Sequence, residues 1–97
     1  MPRLIYSRQA ERDLDGIFDY TVGRYGGQQA ITYTDRIRDA ANTIAQFPML
    51  GRAYTTKNGR EFRRFASGRH MIFYQIEEDT VFVVRILYDG MDFDSWL

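Results

Sequence analysis

Apolar residues recur at steps of three and four through the first half of the chain, and they crowd into nearly unbroken runs through the second half. Arg3 to Tyr6 predicts a short strand. Ser7 follows as an N-cap, because its hydroxyl can accept from amides of the first helical turn. From there Ala10, Leu14, Ile17, Phe18, Val22 and Tyr25 mark one face of a helix, and Asp13, Asp15 and Asp19 fall largely off it. Gly26-Gly27 interrupts the pattern, since glycine lets a backbone reverse without side-chain clash. A second stripe, Ala30, Tyr33, Ile37, Ala41 and Ile44, predicts a second helix ending near Gln46 or Phe47, ahead of Pro48. The short connection makes the two helices an antiparallel hairpin.

After the hairpin the period changes. "FPMLGRAY", Phe47 to Tyr54, reads as a turn whose Met49 and Leu50 plug the open end of the hairpin, the alternative being exposure for a partner. Asn58-Gly59 marks a polar turn. Strands are then predicted over Glu61 to Ala66, Arg69 to Ile76 and Thr80 to Tyr88, separated by Ser67-Gly68 and by Glu77-Glu78-Asp79. The last two carry apolar residues at both parities, as central strands covered on both faces do. The order is β-α-α-β-β-β, an α+β fold with an N-terminal helical hairpin packed on a mostly antiparallel sheet.

The length of 97 residues fits one domain, taken as 1–97. The chain has no cysteine, which removes disulfides, thiolate metal sites and a cysteine nucleophile together. No apolar run is long enough to span a bilayer, and the segment from Met1 lacks the apolar core of a signal peptide, so a cytoplasmic location is expected. Net charge is zero, yet its distribution is uneven. Arg52 to His70 holds six basic residues against Glu61. Glu77 to the end holds six acids against Arg85. Lys57 is the single lysine, and arginine suits two-pronged contacts to phosphate or carboxylate.

Arg85 stands inside the apolar run Val83 to Leu87, where a charge needs a partner or a cleft. Asp92 and Asp89 are the expected partners. Phosphodiester cleavage would need proton donors and acceptors plus cations. His70 or Glu61 for proton transfer, Tyr88 as an acid, and Arg63, Arg64 and Arg85 for charge are the available groups. Arg63 and Arg64 are adjacent, so a strand sends them to opposite faces. His70, the only histidine, sits in an aromatic strand and reads as core. No nucleotide-binding, serine-hydrolase or zinc-protease signature is present, and no cofactor or metal is implied.

The opening "LIYSRQAERDLDGIFDYTVGRYG", the hairpin exit "FPMLGR", the strand "GRHMIFYQI" and the ending "VVRILYDGMDFDSWL" together resemble ParE toxins of the RelE/ParE toxin–antitoxin superfamily. The resemblance runs through essentially the whole chain. It implies a toxin that poisons DNA gyrase in a cleaved-DNA state, and a ParD-like antitoxin that binds the toxin in a hetero-oligomer. DNA is then contacted only indirectly, through antitoxin or gyrase. RelE-like relatives are ribosome-dependent mRNA endonucleases, which makes Arg63, Arg64, Arg85 and Tyr88 the alternative catalytic set. A third possibility is a degenerate, non-toxic module that still binds antitoxin. The chain departs from the family pattern at "LYDGMD", where Tyr88 stands in place of a common histidine, and at "DSWL". These departures make the C-terminal segment less basic and argue against a nuclease. On this reading Arg60, Arg63, Arg64 and Arg69 contact the target. The antitoxin contacts are Leu14, Phe18, Ile37 and Ile44, each of which also fits intramolecular core, together with Phe93 and Trp96.

Overall fold

The structure, a computed structural model, describes residues 3–97; Met1 and Pro2 lie outside the described residues. The elements are β1 (Arg3–Tyr6), α1 (Arg8–Tyr25), α2 (Gly27–Gln46), a 3-10 turn (Pro48–Leu50), β2 (Arg52–Thr55), β3 (Glu61–Ser67), β4 (His70–Glu77), β5 (Thr80–Tyr88) and a one-turn helix α3 (Phe93–Trp96). The five strands form one sheet in the order β1-β5-β4-β3-β2. Only the β1–β5 pair is parallel. The α+β fold and the helical hairpin match the sequence reading. Two elements extend it: an edge strand, β2, inside the segment read as a turn, and α3 at the C-terminus.

The hairpin turns on a single residue. Gly26 has φ 91°, a left-handed conformation that costs a side-chain-bearing residue energy, and Gly27 already begins α2. Ala10, Leu14 and Ile17 of α1 pack with Ile37, Ala41 and Ile44 of α2 against Ile72, Tyr74, Val81, Val83 and Ile86 of the sheet. The opposite face carries a second cluster, Phe62, Phe73 and Leu87, covered by Tyr54, Met71, Val84, Met91, Phe93 and Leu97. The C-terminal segment therefore acts as the lid of the second face, which explains why β4 and β5 are apolar at both parities.

Met49 and Leu50 do not plug the hairpin; both are exposed. The buried Tyr74 takes that role. Its hydroxyl donates to the Pro48 carbonyl at 2.6 Å and accepts from the Gly51 amide at 2.8 Å. This fixes the turn from beneath and sends Met49 and Leu50 outward. A Cβ on Gly51 would collide with the Tyr74 hydroxyl and the Arg64 carbonyl, so the close approach requires glycine.

Candidate functional site

The site begins with a mismatch in strand length. β1 pairs with β5 only through Tyr6↔Val83, so β5 beyond Val83 has a free edge on that side. A register shift falls at the same point: Tyr74 pairs with Val83 and Phe73 with Arg85, leaving Val84 as the extra residue of a bulge. Backbone groups freed there need partners. Ser7 supplies one. Its hydroxyl donates to the Val84 carbonyl at 2.7 Å while accepting from the Ala10 amide at 2.9 Å, so the helix cap also fastens α1 to the bulge. Asp13 supplies the next. One of its carboxylate oxygens accepts from the Ile86 amide at 2.9 Å and from Arg85 Nε at 2.9 Å, and the other accepts from Arg85 Nη2 at 2.9 Å.

Arg85 is thus paired by Asp13 of α1, and not by Asp92 or Asp89 as expected. The bulge turns its side chain toward the helix. Asp13 is held mostly away from solvent by the same contact, although its position in the sequence suggested an exposed face. Arg85 also donates through Nη1 to the Trp96 carbonyl at 3.0 Å, and its guanidinium lies 5.8 Å from the Trp96 ring centre. One arginine therefore ties together α1, β5 and the C-terminal helix.

Between α1, the start of α2 and the free edge of β5 lies a groove of about 1050 Å³. Tyr20, Tyr25, Tyr33, Tyr88 and Trp96 line it, together with Arg12, Arg24, Arg69 and Arg85. At its floor Tyr33 and His70 meet, with the Tyr33 hydroxyl 2.6 Å from His70 Nδ1. The Arg69 amide donates to that hydroxyl at 3.0 Å. The hydroxyl proton is therefore free to go to Nδ1, which leaves the ring's proton on Nε2. Tyr33 and Tyr88 each approach the imidazole edge-on, at 5.5 Å and 5.8 Å between ring centres.

Burial lowers the His70 pKa below its ordinary 6.5, only partly offset by the negative charges of Asp89 and Asp13. The folded protein holds the ring neutral, and the unfolded chain takes up a proton first as pH falls. Stability is therefore full above about 6.5 and declines as pH drops from there toward the folded value. Urea midpoints measured between about pH 7.5 and 5.5 should fall for the parent, and fall less for His70→Gln. Equal slopes would mean that His70 is not the titrating group.

The structure separates the sequence-predicted residues. Leu14, Ile37 and Ile44 lie in the core beneath the sheet, occupied by intramolecular packing, and Phe18 is half-buried. Phe93 tucks onto Phe73 and Tyr54, at 4.8 Å and 6.0 Å between ring centres. Trp96 stays half exposed at the groove rim. Arg85 and Tyr88 share the groove, while Arg63 and Arg64 sit two strands away on β3. Arg63 reaches the Gly51 carbonyl, and Arg64 lies over the Tyr54 ring at 5.5 Å. Arg60 donates to the Leu97 carbonyl and covers Phe62. Arg69 alone of the four expected target contacts lines the groove. Sequence reasoning missed Asp13, Tyr20 and Tyr33 as site residues. Two tyrosines near the facing ends of the helical stripes, Tyr25 and Tyr33, were the available signal, because a phenol at the rim of an apolar stripe often marks where core gives way to surface.

Comparison with known proteins agrees over nearly the whole chain. Residues 4–93 match the ParE toxin of type II toxin-antitoxin system, parDE. Toxin ParE1 of Caulobacter vibrioides is 36% identical over 87 residues, spanning 89% of this chain and 88% of the relative. Toxin ParE1 of Mycobacterium tuberculosis is 34% identical over 93 residues, spanning 95% and 94%. A chain from the chromosomal ParDE TA system of P. aeruginosa superposes with a TM-score of 0.77 at 21% identity, covering 91% of this chain and 96% of that one, and so shares the fold.

Proposed function

The chain belongs to the ParE toxin family of type II toxin–antitoxin systems, and from that premise we propose that it arrests growth by binding DNA gyrase and trapping cleaved DNA, without catalysing a reaction itself. The observation that carries this reading is the chemistry of the groove. Its one histidine is held neutral with Nδ1 already engaged by Tyr33, and its one ion-paired carboxylate, Asp13, is occupied by Arg85 and a backbone amide. What remains is a surface of exposed phenols, an indole and guanidiniums, suited to seating another chain.

A ParD-like antitoxin is the occupant of this groove on the same reading. A cytoplasmic location follows from a gyrase target, and no helix among the described residues is long and apolar enough to cross a membrane. Trp96, the only tryptophan, stands at the rim, so antitoxin binding should shift its emission to shorter wavelength. An unchanged spectrum on formation of a stable complex would place the antitoxin elsewhere.

The nuclease alternative draws on one specific observation, that Arg69, His70, Arg85 and Tyr88 share the groove. Expression of Tyr88→Phe without antitoxin separates the two readings. A binding toxin keeps growth arrest within about a few-fold of the parent, whereas a general acid removed from a nuclease costs roughly 100-fold or more. Loss of arrest on that scale, with mRNA cleavage by the parent, would replace the gyrase reading.

A further inference from the structure

We propose that Arg52 and Arg64 form a phosphate clamp at the free edge of the sheet, through which the protein touches duplex DNA directly, in place of the solely indirect contact that the family resemblance implied. The register of β2 and β3 sets Arg52 opposite Arg64. Directly opposed residues of an antiparallel pair share a face, with Cβ atoms roughly 4.5–5.5 Å apart, and like charges there oppose pairing. Carboxylates would normally relieve such a pair. Among the described residues, however, the one ion pair within 4.0 Å is that of Arg85 and Asp13, so neither arginine has an acidic partner at that distance.

Among the acids near this hairpin, Asp94 and Asp92 accept from other groups and Glu61 faces away. Asp94 accepts from the Tyr54 hydroxyl at 2.5 Å and from the Lys57 amide at 2.8 Å. Glu61 pairs with Thr55, and strand alternation sends it to the opposite face of β3 from Arg64.

Arg64 is also backed by an aromatic ring. Tyr54 and Phe62 are the next same-face pair along the hairpin, and the Arg64 guanidinium lies 5.5 Å from the Tyr54 ring centre. Stacking of this kind orients the planar fork while leaving its N–H groups free, the arrangement that suits two-pronged binding of phosphate oxygens. Arg52 and Arg64 line neither the large groove nor the shallow one near Tyr74. A charged edge that lines neither groove fits a rod of phosphates better than a peptide of carboxylates, which needs a seat for its chain.

The inference deepens the gyrase reading, because it gives the toxin a contact to the DNA that gyrase holds. Its test uses DNA without gyrase, so its failure leaves that reading standing. Antitoxin-free protein is titrated into a short fluorescein-labelled duplex at about 50 to 200 mM salt, and anisotropy is read. The parent should bind with strong salt dependence. Arg52→Ala should lower the log–log salt slope by about one, and Arg52→Ala with Arg64→Ala should lower it by about two and weaken binding about ten-fold or more. Arg36→Ala, an exposed arginine on α2, should change neither. Relief of like-charge repulsion offsets part of the lost Arg64–Tyr54 contact, so the double variant should keep a cooperative thermal transition, which separates lost binding from lost fold. A folded double variant with the parent's slope and affinity would overturn the proposal. So would a parent that binds poly-glutamate but no duplex.

Discussion

Phe73→Ala should destabilise the protein by about 3–5 kcal/mol, the usual cost of emptying a buried phenylalanine site. Phe73 is fully buried at the centre of the second core. Tyr54, Phe62 and Phe93 all meet it edge-on, with ring centres at 5.4, 6.4 and 4.8 Å. No neighbour can collapse into the space without breaking the others' contacts, because Tyr54 is tied to Asp94 and Phe93 opens a helix of one turn. A domain of this size has about 5–15 kcal/mol in total, so the loss is a large fraction of it. At about 4–8 °C per kcal/mol the thermal midpoint should fall by about 12 °C or more. The C-terminal segment should loosen as well, since Phe93 loses its platform. Trp96 fluorescence should then report local release below the global transition. A shift under about 1 kcal/mol in urea titration would show that the second core contributes little.

Asp13→Ala should cost about 3 kcal/mol, for a different reason. The substitution strands the Arg85 guanidinium in a largely buried position and frees the Ile86 amide at an unpaired strand edge. A mostly buried charge without its partner is expensive, whereas replacing both partners removes the penalty. Asp13→Leu with Arg85→Met should therefore be more stable than Asp13→Leu alone. The two single changes should be strongly non-additive in a double-mutant cycle. Additivity would mean that Arg85 finds another partner. Since Arg85 also holds the Trp96 carbonyl, each single variant should alter Trp96 emission before any unfolding.

The legible parts of the molecule are those set by local chemistry. Ser7 caps α1 as its hydroxyl suggested, and the stripes through Ala10–Leu14–Ile17 and Ala30–Ile37–Ala41–Ile44 are the buried faces. Asn58-Gly59 turns with Gly59 at φ 90°. β2 was not legible, because an edge strand with mostly exposed residues carries no alternation of apolar and polar positions. Its pairing with β3 shows only once β3 is in place. Met49 and Leu50 misled because their apolar character says nothing about Tyr74, which occupies the space 26 residues away from Pro48 in sequence. The site was harder still. Asp13 and Arg85 are 72 residues apart, and their pairing depends on the Val84 bulge and the early end of β1, neither of which leaves a mark in composition or period. The family resemblance reached the whole chain correctly, but it could not place the groove.

The proposed function is action at gyrase without chemistry by the toxin. The most direct measurement incubates antitoxin-free protein with purified gyrase, ATP and supercoiled plasmid, then adds detergent and protease and scores linear DNA. Linear plasmid that rises with toxin, requires gyrase and disappears when a ParD-like antitoxin is added is the expected result. Intact supercoiled plasmid from a folded protein that still binds antitoxin would contradict it.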